Sequence, residues 1–166
     1  MAYVPEIVDL KPFYIQASFD GTAKDTTSWG LVPRVNPYKL MPNPKDPYKT
    51  EWFDQDGDSE YTAKIYYEAM EISVGFYIKA YSTEESSAIS LLRGQVESFF
   101  SYIQNGEFKI YDSYTDLGRQ GVRYAGYEEG TFKSRKDWAS ATFTVKFKIN
   151  DPMTRVILKN GALITE

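Results

Sequence analysis

A chain of 166 residues with a formal charge of −4 and 42% hydrophobic side chains describes one domain, long enough to bury a core without covalent staples. It contains 0 His and 0 Cys, which excludes Ser-His-Asp and Cys-His nucleophilic catalysis, imidazole acid–base chemistry, disulfides, and every zinc or iron–sulfur site built on thiolate or imidazole. With 19 basic against 23 acidic residues, no phosphate-tracking groove is expected and nucleic-acid binding is disfavoured.

No leader with a basic start and an apolar core opens the chain, and its apolar runs fall far short of a membrane span. Aromatic residues reach 16%, carried by 14 Tyr, 10 Phe and 3 Trp.

In chain order, Phe13, Ile15, Ala17 and Phe19 alternate with polar residues, the period of a half-buried strand that Asp20-Gly21 ends. From about 21 to 59 periodicity dissolves. Pro33, Pro37, Pro42, Pro44 and Pro47 fall here, together with Trp29, Leu31, Val32, Tyr38, Leu40, Met41, Tyr48 and Trp52. So many large apolar groups do not suit a disordered linker, and the stretch reads as an extended arm that packs on something.

A short strand is expected over Tyr61–Tyr67. A long one follows, in which Met70, Ile72, Val74, Phe76, Ile78 and Ala80 oppose Glu71, Ser73, Tyr77 and Lys79. The period then changes to 3.6. Ile89, Leu92, Val96, Phe99, Phe100 and Ile103 form one stripe and predict a helix over about 84–104, with Ser82 and Glu85 as a capping box and Asn105-Gly106 as the stop.

Strands are expected again at about 108–114, 119–127, 131–135 and 139–149, the last closed by Asp151-Pro152 because proline cannot continue a ladder. The tail, at about 155–165, is a hairpin around Asn160-Gly161. One helix among these strands predicts a mainly β (α+β) fold, a β-sandwich or barrel with the helix on one face or plugging an open end. The whole chain, 1–166, reads as a single domain without internal repeats.

Candidate sites are few. Asp54, Asp56 and Asp58 offer closely spaced oxygen ligands, but an EF-hand needs Gly and Glu where Ser59 and Ile65 stand. The stretch reads as an acidic turn, with these three residues the ones a different calcium site would use. Glu68 and Glu71 would face opposite sides of a strand, and Glu128 and Glu129 are adjacent strand-edge charges; neither pair makes a shared acid–base site.

Outward-facing aromatics, expected at Tyr66, Tyr77, Tyr111 and Tyr127, allow a sugar-stacking platform or an interface. The terminal hairpin, with Val156, Leu158 and Leu163, has neither face polar and must pack on its own body or on another chain. With Trp29, Tyr38, Leu40, Met41 and Tyr48 of the arm, these residues are the candidate subunit interface. No cofactor is implied.

The order of Glu71–Tyr81, the Ser82–Gly106 helix, and Ala139–Pro152 with its "FTVKFKINDP" ending resembles the N-terminal domain of siphophage distal tail proteins. More broadly, it resembles the tail-tube-like fold shared with type VI secretion tubes. "SWGLV" and "KDPYKTEWFDQDGDSEYTAKIYYEAMEISVGFYIKAY" are similar to tail-associated proteins encoded in prophages of gut bacteria. The likeness spans about residues 28–152.

It implies a non-enzymatic virion protein, assembled in the bacterial host cytoplasm, whose copies join into a ring, usually hexameric, around a lumen that passes DNA. Its partners would be itself and other tail proteins, without specific nucleic-acid binding or membrane attachment. The arm would touch a neighbouring subunit or ring. Two departures stand out: the chain stops soon after Asp151-Pro152, without the second, carbohydrate-binding-like domain of many distal tail proteins, and the 21–59 excursion is long. A monomeric carbohydrate-binding β-sandwich is the alternative from another functional class.

Overall fold

The computed structural model of the chain describes residues 12–33 and 40–166. Strand β1 (Phe13–Ala17) is followed by the two-residue β2 (Lys24–Asp25), a 3-10 turn over Thr26–Trp29, and the short β3 (Val32–Pro33). An excursion carries β4 (Lys49–Glu51) and β5 (Asp58–Glu60). The body resumes with β6 (Met70–Tyr81), helix α1 (Glu85–Ile103), β7 (Phe108–Asp112), β8 (Leu117–Arg135), β9 (Trp138–Lys159) and β10 (Ala162–Thr165).

Eight strands form one antiparallel sheet in the order β2-β1-β7-β8-β9-β6-β3, with β10 added alongside β9. The sheet is not closed into a barrel, since its path ends at β2 and β3. It is curled, however. The Phe13 ring on β1 stacks on Phe147 on β9, centroids 6.3 Å apart, although β7 and β8 lie between those strands in the ladder.

Alternation positions the core. The even residues of β6 from Met70 to Ala80 are buried, and the odd ones are exposed or half-buried. Residues Phe143, Val145, Phe147 and Ile149 of β9 lie opposite them in register and share their face. Helix α1 lies across that face, as its 3.6-residue stripe requires. Phe99 inserts between Trp29 and Phe76, with centroids at 5.3 and 5.5 Å, while Phe100 meets Tyr124, Tyr127 and Phe143. Each such side chain removed from water is worth about 1.5–3 kcal/mol.

The helix occupies the span that its stripe predicts, but the capping box does not form. Glu84 is the N-cap without a side-chain bond. The Glu85 carboxylate instead accepts the Ser134 hydroxyl at 2.6 Å, and the Ser82 N–H binds the Asp137 carbonyl at 2.9 Å. The helix start is thus tied to the far end of β8–β9 rather than to itself.

Three sequence expectations are corrected. No strand covers 61–67; those residues form the return limb of the excursion, with one bridge from Pro44 to Tyr67, because their alternating side chains find no sheet to bury against. The 119–127 and 131–135 segments and the glycine-containing connection between them are one 19-residue strand, with a register shift between Glu129 and Phe132.

Asp151-Pro152 does not close β9. The ladder steps from Arg119 opposite Arg155 to Gln120 opposite Asp151, leaving 152–154 as a bulge. The Asp151 carboxylate fills the gap by accepting the Thr154 N–H at 3.3 Å and the Gln120 amide at 2.8 Å. Burial opposes its ionisation, but these hydrogen bonds outweigh that and hold its carboxyl below the ordinary value.

The terminal hairpin turns where expected, with Asn160 and Gly161 at φ 52° and 75°, the left-handed pair of a type I′ turn. It packs on its own subunit: Val156 and Leu163 are buried with Tyr111, and Gln16 accepts the Leu163 N–H at 2.6 Å.

Candidate subunit interface

Residues 43–68 form a two-limbed arm. Glu68 N–H donates to Asn43 O, Lys45 to Tyr66 O, and Tyr61 to Tyr48 O, and above these β4 pairs with β5 from Lys49–Glu60 to Glu51–Asp58. The root of the arm lies beside Met70, at the start of β6. Leu40 and Met41 are exposed at its base. Along it Tyr48 is 80% exposed, and Trp52, Phe53, Tyr61, Ile65 and Tyr66 also face solvent. Among the described residues these groups have little to bury against, the pattern of a candidate interaction surface. Together with the Pro44–Tyr48 limb, the 60–66 limb bounds an apolar hollow of about 600 Å³.

The arm tip is acidic. Glu51, Asp54, Asp56, Asp58 and Glu60 accompany one cation, Lys49, which reaches Asp58 at 3.5 Å and Glu51 at 3.8 Å. Among the described residues no group of three or more Asp or Glu could hold a metal ion. Asp54, Asp56 and Asp58 stand in the turn and strand of an exposed hairpin, with Asp58 already committed to Lys49.

The candidate interface residues divide. Leu40, Met41 and Tyr48 are exposed as expected. Trp29 is 7% exposed and packed on Phe99 and Tyr102; the 3-10 turn folds it under the end of α1, so it belongs to the subunit's own core. Val156 and Leu163 are likewise internal and Leu158 packs beside them. The hairpin closes its own body through these contacts. Tyr38 lies outside the described residues.

Of the aromatics expected to face outward, Tyr66 does and Tyr77 is half-buried; Tyr127, although partly exposed, lies opposite Val145 on the helix side against Phe100 and Phe143, whereas Tyr111 is buried and gives its hydroxyl to Asp116. It points inward because β10 and the Val156 region of β9 cover that side of β7.

Further hollows border the body. A polar cleft of about 510 Å³ lies between Asp20, Lys109, Gln120 and Asp151. Three carboxylates line it, Asp20, Glu107 and Asp151. The Thr22 N–H, with help from Tyr102 and Lys24, holds Asp20 below its ordinary value against some burial, and Asp151 is lowered too, so both stay ionised. An apolar groove of about 440 Å³ lies between α1 and the end of β8, lined by Ile89, Val96, Tyr127 and Phe132 among others.

The feature that sequence reasoning missed is the sheet face turned away from α1. Lys79 of β6, Lys146 and Lys148 of β9, and Arg123, Lys133 and Arg135 of β8 point to that side, against Glu71 and Glu128. Glu128 is paired with Lys146 at 2.7 Å. Whole-chain charge conceals this patch; the polar set alternating with the apolar one was the signal for it.

In three dimensions the chain is similar to the crystal structure of SPP1 Dit, described as a paradigm of the hub adsorption apparatus in phages infecting Gram-positive bacteria. The TM-score is 0.59 at 15% identity, over 88% of this chain and 52% of that one. The chain thus shares the fold of SPP1 Dit, and it spans about half the length of that protein. No protein-family model matches the sequence, and no curated protein sequence matches it.

Proposed function

We propose that this protein is a non-catalytic structural component of a phage or prophage tail, whose copies assemble into a ring and contact other tail proteins. The observation that carries this reading is the fold shared with SPP1 Dit over 88% of the chain, joined to an arm whose aromatic residues Tyr48, Trp52, Phe53, Tyr61 and Tyr66 are exposed. In the polar cleft the Asp20 and Asp151 carboxyls are lowered rather than raised, so neither is tuned as a general acid, which favours an assembly role over hydrolysis. A six-membered ring in the virion tail, built in the host cytoplasm, is what the family resemblance implies.

Light scattering after size exclusion over a wide concentration range, with electron microscopy of the concentrated protein, tests the reading. Concentration-dependent growth to a closed ring of fixed size supports it. A strict monomer that binds glycans on an array overturns it in favour of a carbohydrate-binding module.

A further inference from the structure

We propose that the acidic, aromatic tip of the 49–60 hairpin of one copy docks on the basic end of the outer sheet face, around Trp138, of a second copy. This rests on the ring reading and assigns the surfaces that make the joint.

Charge complementarity is the first argument. At the tip, Asp54 and Asp56 flank a turn preceded by Trp52 and Phe53, the latter fully exposed. At the Tyr81 end of β6, Lys79, Lys133, Arg135 and Lys136 gather where β6, β8 and the β8–β9 turn meet, with Asp137 the one acid of that turn. In register, Lys79 and Lys133 are both opposite Ser140, and Tyr81 and Arg135 are both opposite Trp138. Among the described residues none of these four cations, and neither Asp54 nor Asp56, makes an ion pair. Two charged patches of opposite sign, both unpaired in one subunit and both present in every subunit, attract each other across copies and repel their own kind.

The side chains between the charges fit as well. Lys79 already lies over the Tyr81 and Trp138 rings, 5.0 and 4.5 Å from their centroids. The basic end is thus a mixed aromatic–cation surface, on which Trp52 and Phe53 can stack while Asp54 and Asp56 meet Lys133, Arg135 and Lys136.

Geometry is the second argument. The arm is rooted at the Met70 end of β6 and the basic patch lies at the Tyr81 end, about 36 Å away at the rise of an extended strand. The tip and the basic patch are different surfaces of one subunit, so the contact is heterologous. Head-to-tail contacts of this kind generate rings when the rotation between copies closes.

The test uses the full chain and charge reversal. D54K/D56K and R135E/K136E should each raise the concentration needed for assembly by roughly tenfold or more. Combining all four substitutions in one chain should restore most of the loss, and added salt should weaken the unaltered assembly. All four positions are exposed, and an unchanged melting temperature shows that folding is intact.

Because the chain has no cysteine, Gln55→Cys and Lys136→Cys supply an independent probe. A mixture of the two variants should give a disulfide-linked dimer under mild oxidation, and the double variant a ladder beyond the dimer. If the protein assembles but neither charge reversal alters assembly and the 55–136 link does not form, this docking surface is overturned while the ring reading stands. If the protein stays monomeric at every concentration and no link forms, the ring reading and the joint fall together.

Discussion

The Tyr102 hydroxyl, on the last turn of α1, donates to the Asp20 carboxylate at 3.1 Å while accepting the buried Ala17 N–H at 3.0 Å. One oxygen thereby joins the helix end, the last residue of β1 and the turn that follows it. Tyr102→Phe leaves the buried Ala17 amide without its acceptor, so it should cost about 1–3 kcal/mol. A lower urea midpoint with an unchanged denaturant slope is the expected result.

The same hydroxyl sets an alkaline limit. Burial raises the Tyr102 and Tyr111 hydroxyls to about 12, from 10.0, with the Asp20 and Asp116 carboxylates adding to the shift. The folded state holds these protons more tightly than the unfolded chain does. Their contribution to stability is therefore full below pH 10 and is lost as pH rises from 10 towards 12. Urea unfolding from pH 8 to 12 should show this decline, and Tyr102→Phe should make it shallower. On the acid side Asp20 and Asp151 are lowered, so their contribution is present above about pH 4 and is lost below it.

Gly118 and Gly94 should respond oppositely to alanine. A methyl at Gly118 would collide with the Val156 carbonyl oxygen on the paired strand, where β8 and β9 leave no room, and a loss of about 1–3 kcal/mol follows from overpacking. Gly94 lies within α1 with open space around it, and Gly94→Ala should stabilise by about 0.5–1 kcal/mol. Thermal melts of the two variants check both signs.

Removal of residues 153–166 should damage folding rather than assembly alone. It takes away Val156 and Leu163, both buried against Tyr111, together with the β10 edge. The point substitution Leu163→Ala, which keeps the chain length, should cost about 2–5 kcal/mol. Equilibrium unfolding of that variant reads the hairpin's role in the subunit separately from any change in oligomeric mass.

The local elements were legible because they bury one face of a repeating pattern. The β6 alternation and the α1 stripe both lie where their periods place them, and Asn160-Gly161 turns as its backbone preference demands. The pattern misled where burial was absent: Tyr61–Tyr67 alternates without a sheet to meet. It misled again at Pro152, where the Asp151 side chain and a bulge carry β9 past a residue that breaks ordinary ladders. Trp29, Val156 and Leu163 were legible as apolar groups needing a partner, but whether that partner is their own chain depends on which distant segments fold over them.

Composition alone excluded histidine and cysteine chemistry, because an absent residue type cannot be supplied by folding. Periodicity alone determined a mainly β chain with one amphipathic helix, because apolar burial imposes a period of 2.0 on strands and 3.6 on helices. Only the tertiary structure decided that the sheet curls without closing, that the tail hairpin packs on its own subunit, and that the root of the arm and the basic sheet end lie at opposite ends of β6. Those outcomes depend on strand order and register, which join residues far apart in the chain: Lys79 stands beside Lys133 only because both strands pair with β9 at Ser140.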